Sequence, residues 1–95
     1  METLAPHLYT NAADITLIEQ RAHDLVSGAR IRITLHDGNL VEGVVAELPV
    51  VQQFRDAQGN EGMNGVVRLE DPDVPLWSVY LWLSDIHSVE RLDLR

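Results

Sequence analysis

Apolar and polar residues recur with two different periods along the chain, and the first period is helical. Between Asn11 and Gly28, apolar residues return every three or four positions, which is typical of a helix with one face against a core. Asn11 is a suitable N-cap, and Gly28 is suited to a left-handed C-terminal cap. We therefore predict an amphipathic helix over residues 11–28, after an irregular lead-in over residues 1–10. The residues predicted to follow this helical spacing are Ile15, Ile18, Ala22, Leu25 and Val26.

From Arg30 onward the apolar period shortens to two, which is the period of a half-buried β-strand. Asp37 and Gly38 mark a tight hairpin turn. Residues 49–62 are largely polar and are predicted to form a long loop or the tip of an extended hairpin. One helix and a series of short strands predict a mainly β fold, a strongly bent antiparallel barrel with the helix over one end. The five predicted strands cover residues 30–35, 40–48, 63–70, 76–84 and 88–94.

The fourth predicted strand, residues 76–84, is the most apolar segment of the chain. Because side chains alternate between the faces of a strand, Leu76, Tyr80 and Trp82 are expected to share one face. That face has two possible partners. It packs against the helix or the long loop, or it forms an interface with a second subunit, where aromatic residues are enriched.

Length and composition indicate one globular domain over residues 1–95, with a single modest core. The chain contains no cysteine, which excludes disulfides and zinc–thiolate sites. No apolar run approaches the length of a membrane span, and the first residues lack the pattern of a signal peptide. We therefore expect a cytoplasmic protein that does not contact membranes.

The charge balance argues against strong nucleic-acid binding. Fifteen acidic residues and seven arginines give a formal net charge of −8, and such a field opposes the approach of phosphates. Two arrangements are open for Arg30, Arg32 and Arg68. They form a basic stripe on the outer face of the sheet, or they pair across strands with Glu42 and Glu47, which is the more frequent arrangement.

Residues with catalytic or metal-binding chemistry do not form an ordered set. The four histidines are dispersed and none has a metal-binding spacing to another. Neither a nucleophile motif nor a glycine-rich phosphate loop is present. We therefore predict no catalytic residues, no metal, no cofactor and no enzymatic activity. The histidines are His7, His23, His36 and His87.

The segment Ile33–Val45 resembles the first signature of Sm-like (LSm-type) proteins. In that signature, alternating apolar residues precede an Asp-Gly turn, and a glycine follows inside the next strand. A Met-Asn pair usually ends the signature, and residues 63–64 resemble it. We take the chain as a divergent Sm-like protein of a small uncharacterised bacterial family. The residues that carry the fold signature are Asp37, Gly38, Gly43, Met63 and Asn64.

The resemblance covers residues 11–94 and implies an Sm-like/SH3-like barrel of five strands. Gly43 has a physical role in such a fold, since a residue without Cβ permits a sharp bend and a close backbone approach. Sm-like proteins commonly assemble by pairing the fourth strand of one subunit with the fifth strand of the next. The resemblance therefore implies self-association, which we expect to give a dimer or another small oligomer.

Three departures from the Sm-like pattern fall on positions associated with RNA. Gly62 precedes the Met-Asn pair, where the family often has a side chain that stacks on a base, an interaction worth about 1–3 kcal/mol. Ser84 and Asp85 stand where the family often has a cationic pair. Residues 49–62 are an insertion that could reshape or cover the site. The architecture is retained while the usual RNA-binding side chains are largely replaced.

These observations leave two functional hypotheses. The first is a non-enzymatic interaction or scaffold module that self-associates or binds an unidentified protein, with weak or no general RNA binding. The alternative is an RNA-associated regulator with a remodelled base-binding site built from Asn64, Arg68 and Asp37. For Asn64, a purely structural role in a turn or bulge before Gly65 is the more frequent case. The interface candidates in the first hypothesis are Leu76, Tyr80 and Trp82.

Overall fold

The computed structural model describes residues 3–93, and its first regular element is a single helix. α1 covers Ala12–Asp24 and is capped by Asn11, whose Oδ1 accepts a hydrogen bond of 2.8 Å from the Ala13 amide. The helix is shorter than the predicted range 11–28. After Asp24 the chain turns away, and the amide of Gly28 donates instead to the carbonyl of Val45. The helical side chains that reach the core are Ile18 and Ala22, followed by Leu25 just beyond the helix, whereas Val26 is exposed.

Seven strands follow the helix in the described part of the chain. They are β1 (Arg30–Leu35), β2 (Leu40–Val45), β3 (Gln52–Arg55), β4 (Glu61–Asn64), β5 (Val66–Glu70), β6 (Ser78–Trp82) and β7 (Ile86–Arg91), with a 3₁₀ turn at Leu83–Asp85 between β6 and β7. Five of these strands form one antiparallel sheet in the order β6-β5-β2-β1-β7, and β3 pairs with β4 in a second sheet. The mainly β architecture with one helix and antiparallel sheets agrees with the prediction. Residue 94, the predicted end of the last strand, lies outside the described residues.

The segment predicted as a loop or hairpin tip forms a hairpin. Gln52 of β3 lies opposite Asn64 of β4, and Arg55 opposite Glu61. The predicted third strand, residues 63–70, is therefore divided between two sheets, with the break at Gly65. A Cβ on Gly65 would lie 2.7 Å from Leu83 Cδ1, so only glycine fits at this corner without a shift in its neighbours.

The N-terminal segment has no regular helix or strand over residues 3–10, as predicted, but it is bound to the β3–β4 hairpin. The amide of Ala5 donates to the carbonyl of Arg55 on β3 (2.8 Å), and Tyr9 exchanges two backbone hydrogen bonds with Met63 on β4 (2.9 and 2.8 Å). The chain between them thus crosses the β3–β4 hairpin from one strand to the other. We call residues 4–9 the N-terminal strap. At the crossing, a Cβ on Gly62 would lie 2.7 Å from the Cβ of Leu8.

The core lies between α1 and the inner face of the five-stranded sheet. Gly43 on β2 approaches β5 closely, since an added Cβ would lie 3.1 Å from the carbonyl oxygen of Glu70 and 3.2 Å from Leu69 Cβ. This is the close backbone approach that the sequence indicated for Gly43. The buried residues of the core cluster are Ile18, Ala22, Leu25, Ala29, Ile31, Ile33, Val45, Val67, Leu69, Leu83 and Ile86.

The turn between β1 and β2 has the local structure that its sequence predicts. Gly38 adopts a φ of 90°, which glycine tolerates and other residues rarely adopt. Asp37 accepts hydrogen bonds of 2.9 Å from both the backbone amide and the side-chain amide of Asn39. The carboxylate of Asp37 therefore holds its own turn in place.

Candidate functional site

Asn64 is the one polar side chain among the fully buried residues of the described chain. Its Nδ2 donates to the carbonyl of His7 (2.8 Å) and to Ser84 Oγ (2.9 Å), while its Oδ1 accepts from the Gly65 amide (2.8 Å). Both donors of the amide and its oxygen are therefore engaged within the chain. We call this arrangement, Asn64 and Gly65 with His7 and Ser84, the Asn64 corner.

The Asn64 corner brings together the Met-Asn pair and the segment where Sm-like proteins often have a cationic pair. In this chain that segment forms the 3₁₀ turn, and its Ser84 contacts Asn64 directly. The third partner, His7, belongs to the N-terminal strap, which the sequence did not place there. The strap also occupies the space beside Gly62. A glycine is therefore required at position 62 because the strap packs against it in this structure.

Tyr9 lies next to the corner, in a cleft between the strap and α1. The cleft has a volume of about 150 Å³ and is lined in part by Asp14, Ile18 and Arg21. Partial burial raises the pKa of the Tyr9 hydroxyl above its ordinary value of 10.0, and the negative charges of Asp14 and Asp85 raise it further. Asp14 and Arg21 place opposite charges in the lining of this cleft.

The three residues of the alternative RNA hypothesis lie on different elements. Asp37 is in the β1–β2 turn, Asn64 is in the interior, and Arg68 is on β5. Arg68 makes ion pairs with Glu47 (3.6 Å) and Glu70 (3.9 Å). No hydrogen bond or ion pair within residues 3–93 connects Asp37, Asn64 and Arg68 to one another.

Cross-strand ion pairs account for Arg32 on the outer face of the sheet. Arg32 on β1 lies between Glu42 on β2 (3.5 Å) and Glu90 on β7 (3.0 Å). Arg68 pairs instead with Glu70 on its own strand and with Glu47, which follows β2. Surface pairs of this kind contribute about 0–1 kcal/mol each, so they reduce the positive potential of the outer face more than they stabilise the fold.

Groups of three or more potential metal ligands do not occur within residues 3–93. Over the same residues, no helix is long and apolar enough to cross a membrane.

The predicted interface residues are at or beside the sheet edge formed by β6. Tyr80 is 67% exposed, and Leu76, which precedes the strand, is fully exposed with a φ of 70°. Positive φ is a strained conformation for leucine. Trp82 is half-buried because its ring meets the ring of Phe54 on β3, with centroids 4.9 Å apart.

A groove of about 420 Å³ opens where the β3–β4 hairpin meets β6. Its apolar lining includes Phe54, Val66, Tyr80 and Trp82. The sequence analysis did not identify Phe54, because it lay in a polar segment with no periodic signal. The hairpin therefore covers one end of the β6 face, while Tyr80 and Leu76 remain uncovered in the described chain.

The two edges of the five-stranded sheet differ in chemistry. Ser78–Trp82 contains neither a charged residue nor a proline, the two kinds of residue that commonly protect natural edge strands from pairing. On β7, by contrast, the His87 carbonyl accepts a hydrogen bond of 3.1 Å from Arg21 Nη2 of α1, and Glu90 and Arg91 are charged. The β6 edge is thus the unprotected one.

Comparisons with known proteins agree with this architecture. A solved structure of XC5848 from Xanthomonas campestris, described as a novel variant of the Sm-like motif, superposes with a TM-score of 0.84 at 37% sequence identity. The match covers 95% of this chain and 97% of that one. None of the curated proteins matches the chain. The model of a domain of unknown function, DUF3247, matches residues 2–92, and the chain therefore belongs to the DUF3247 family, with an Sm-like fold.

Proposed function

We propose that this protein is a non-enzymatic Sm-like interaction module that acts through its β6 edge and has weak or no general affinity for RNA. The observation that carries the proposal is the apolar, unprotected β6 edge, where Tyr80 and Leu76 are exposed to solvent. Exposed apolar surface beside unpaired backbone groups is typical of surfaces that bind other protein chains. The cytoplasmic location and the absence of catalytic activity belong to the same proposal.

The Asn64 corner supports the second half of the proposal. The Asn64 amide has no free donor for a base, because His7 and Ser84 accept both of its N–H groups. The arginine Arg68 is paired with Glu47 and Glu70, and the net charge is −8. Since the affinity of RNA-binding proteins depends on cations that neutralise phosphates, these features favour weak binding.

The fold that we propose for this module is the five-stranded Sm-like barrel. Consecutive strands support this count, since β2 leads through residues 46–51 to β3, and β4 leads through Gly65 to β5. If each of these pairs is one long bent strand, the seven strands reduce to five, as in the fold that the sequence resembles.

The test is a titration of fluorescently labelled U-rich and A-rich RNA oligonucleotides, followed by fluorescence anisotropy at low and at moderate salt. We expect no binding below micromolar protein concentration. Submicromolar binding that weakens with added salt would overturn the proposal in favour of the RNA-associated alternative. In that case Arg68→Ala should weaken binding, and an unchanged affinity would exclude Arg68 from the site.

A further inference from the structure

We infer that two copies of this chain form a two-fold dimer in which their β6 strands pair antiparallel about Tyr80. This rests on the proposed role of the β6 edge and specifies its partner as a second copy, held by an isologous contact. Three features of the molecule favour this dimer: the direction of the backbone groups on β6, the apolar surface at its two ends, and the difference between β6 and β7.

The backbone groups available on β6 follow from its pairing with β5. The Leu83 amide donates to the Gly65 carbonyl (2.9 Å), and the register continues with Leu81 opposite Val67 and Val79 opposite Leu69. Hydrogen-bonded and non-hydrogen-bonded pairs alternate in an antiparallel ladder. The N–H and C=O groups of Ser78, Tyr80 and Trp82 therefore point away from β5, toward the open edge.

A two-fold axis at Tyr80 uses all of these outward groups. It places Tyr80 opposite the partner's Tyr80, and Ser78 opposite the partner's Trp82. Each position then exchanges backbone hydrogen bonds with the partner strand, in the pattern of a continuous antiparallel sheet. No charged side chain lies on Ser78–Trp82, so no like charges oppose each other across the pairing.

The surface at the two ends of β6 is self-complementary. At one end, the strained backbone of Leu76 holds an apolar side chain fully in solvent. At the other end, Phe54 and Trp82 line an apolar groove. A two-fold axis at Tyr80 exchanges the ends of the strand, which brings Leu76 of each copy toward the groove of the other. A second copy thus supplies a partner for both features.

The chemistry of β7 disfavours the head-to-tail arrangement in which β6 pairs with β7 of a neighbour. Arg21 already occupies the outward carbonyl of His87, and the edge carries charged side chains. A contact of β6 with itself avoids both obstacles. It also closes after two copies, whereas a head-to-tail contact continues to further copies.

Charge predicts an unusual salt dependence for this dimer. Each copy has a formal charge of −8, so two copies repel each other, and added salt screens the repulsion. The apolar contact itself carries no charge that salt would weaken. Raising NaCl from about 50 to 500 mM should therefore lower the dissociation constant of the dimer at least about threefold. RNA binding responds to salt in the opposite direction.

Disulfide trapping tests the register directly, because the chain has no cysteine of its own. Hydrogen-bonded partners in an antiparallel pair have Cα atoms about 5.5 Å apart, which lies within the range of about 4.4–6.8 Å that a disulfide spans. Tyr80→Cys should therefore form a covalent dimer on mild oxidation, seen on a non-reducing gel. Ser78→Cys is the matched control on the same edge and should not crosslink with itself, because it faces the partner's Trp82.

Sedimentation velocity over a range of concentrations supplies the second test. We expect a monomer–dimer equilibrium. Tyr80→Glu should raise the dissociation constant of the dimer more than about tenfold, because Tyr80 lies at the centre of the proposed interface. Leu40→Glu is the matched control, because Leu40 is 61% exposed on the same sheet and makes the same charge change. Leu76→Gly should weaken the dimer about tenfold, as expected for one buried apolar anchor.

The inference is overturned if the wild-type protein stays monomeric at both salt concentrations, or if Ser78→Cys crosslinks as readily as Tyr80→Cys. Assemblies larger than a dimer that His87→Lys disrupts would indicate head-to-tail pairing instead. A monomer that also fails to bind RNA overturns the dimer alone and leaves an interaction module with another partner. Tight RNA binding overturns the proposed function whether or not the dimer forms.

Discussion

The Asn64 corner lies where β4 leads into β5, and β6 is the edge strand paired with β5. The two regions differ in how their polar groups are satisfied. At the corner, every polar group of the Asn64 side chain has a partner in the same chain. At the edge, the outward backbone groups of Ser78, Tyr80 and Trp82 face solvent beside apolar side chains. The Asn64 corner, which most resembles a ligand site, therefore has all the polar groups of its Asn64 side chain engaged within the chain, whereas the unengaged backbone groups are on β6.

This difference separates the residues that hold the fold from those that are free to bind. Buried polar groups that are fully satisfied rigidify a structure, and the loss of one partner is costly. Exposed residues on an edge contribute little to the stability of the monomer, so their side chains are available to a partner. Substitutions at the corner should therefore act on stability, and substitutions at the edge on association.

The largest effect should come from Asn64→Ala. The substitution leaves the His7 carbonyl, the Ser84 hydroxyl and the Gly65 amide without their present partner and creates a small cavity. We expect a loss of about 2–4 kcal/mol in the free energy of unfolding, measured by urea denaturation. Asn39→Ala, in the exposed β1–β2 turn, is the control and should cost less than about 1 kcal/mol. Equal losses for the two variants would contradict a special role for the corner.

A somewhat smaller effect is expected from Gly62→Ala, which tests whether the strap is seated on the hairpin. The added methyl group would meet Leu8 Cβ at 2.7 Å, and overpacking of this kind costs about 1–3 kcal/mol. Urea denaturation measures the loss, and limited proteolysis should show earlier cleavage near residues 4–9.

A double-mutant cycle separates this clash from a general loss of stability. Leu8→Gly removes the Cβ that the added methyl group would meet, so the two changes together should cost less than their sum by at least about 0.5 kcal/mol. Strict additivity would show that the strap does not lie against Gly62.

Leu76→Gly should stabilise the monomer, although it removes an apolar side chain. Glycine tolerates the φ of 70° that strains leucine, and relief of such strain contributes about 1 kcal/mol. The Leu76 side chain is fully exposed, so the monomer loses no packing. Thermal denaturation at low protein concentration measures the effect, with Leu76→Ala as a control that keeps the strain. A destabilised Leu76→Gly monomer would mean that Leu76 has a packing partner within the chain.

The features that were predictable from the sequence depend on neighbours in the chain. Asn11 caps the helix through an amide two residues away, and Asp37 and Gly38 form their turn within four residues. The alternating residues of β1 and β2 also indicated their own strand structure. In each of these cases the residue and its partner are close in sequence, so the local sequence pattern is enough to predict the interaction.

The features that were not predictable depend on partners far along the chain. The strap has no periodicity, and its hydrogen bonds reach from Ala5 to Arg55 and from Tyr9 to Met63. A structural role for Asn64 before Gly65 was the more frequent of two interpretations, but nothing local indicated the bond to His7. Gly62 was interpreted as a lost stacking position, whereas its neighbour Leu8 explains the absence of a side chain. Long-range packing determined all three outcomes.

The smallest effect concerns the pH dependence of stability beside the Asn64 corner. Burial, then Asp14 and Asp85, raise the pKa of Tyr9 in the folded protein above 10.0, so the folded state keeps the phenol proton at a pH where the unfolded chain releases it. The stabilisation from this proton is complete below pH 10 and is lost as the pH rises through the raised pKa. The free energy of unfolding of the wild type should therefore fall more steeply above pH 10 than that of Tyr9→Phe. Tyr80→Phe is the control for removing a phenol hydroxyl from an exposed position, since Tyr80 is 67% exposed on the β6 edge. Parallel curves for the wild type and Tyr9→Phe would show that the strap does not hold Tyr9 against α1, and would weaken the contrast between a closed corner and an open edge.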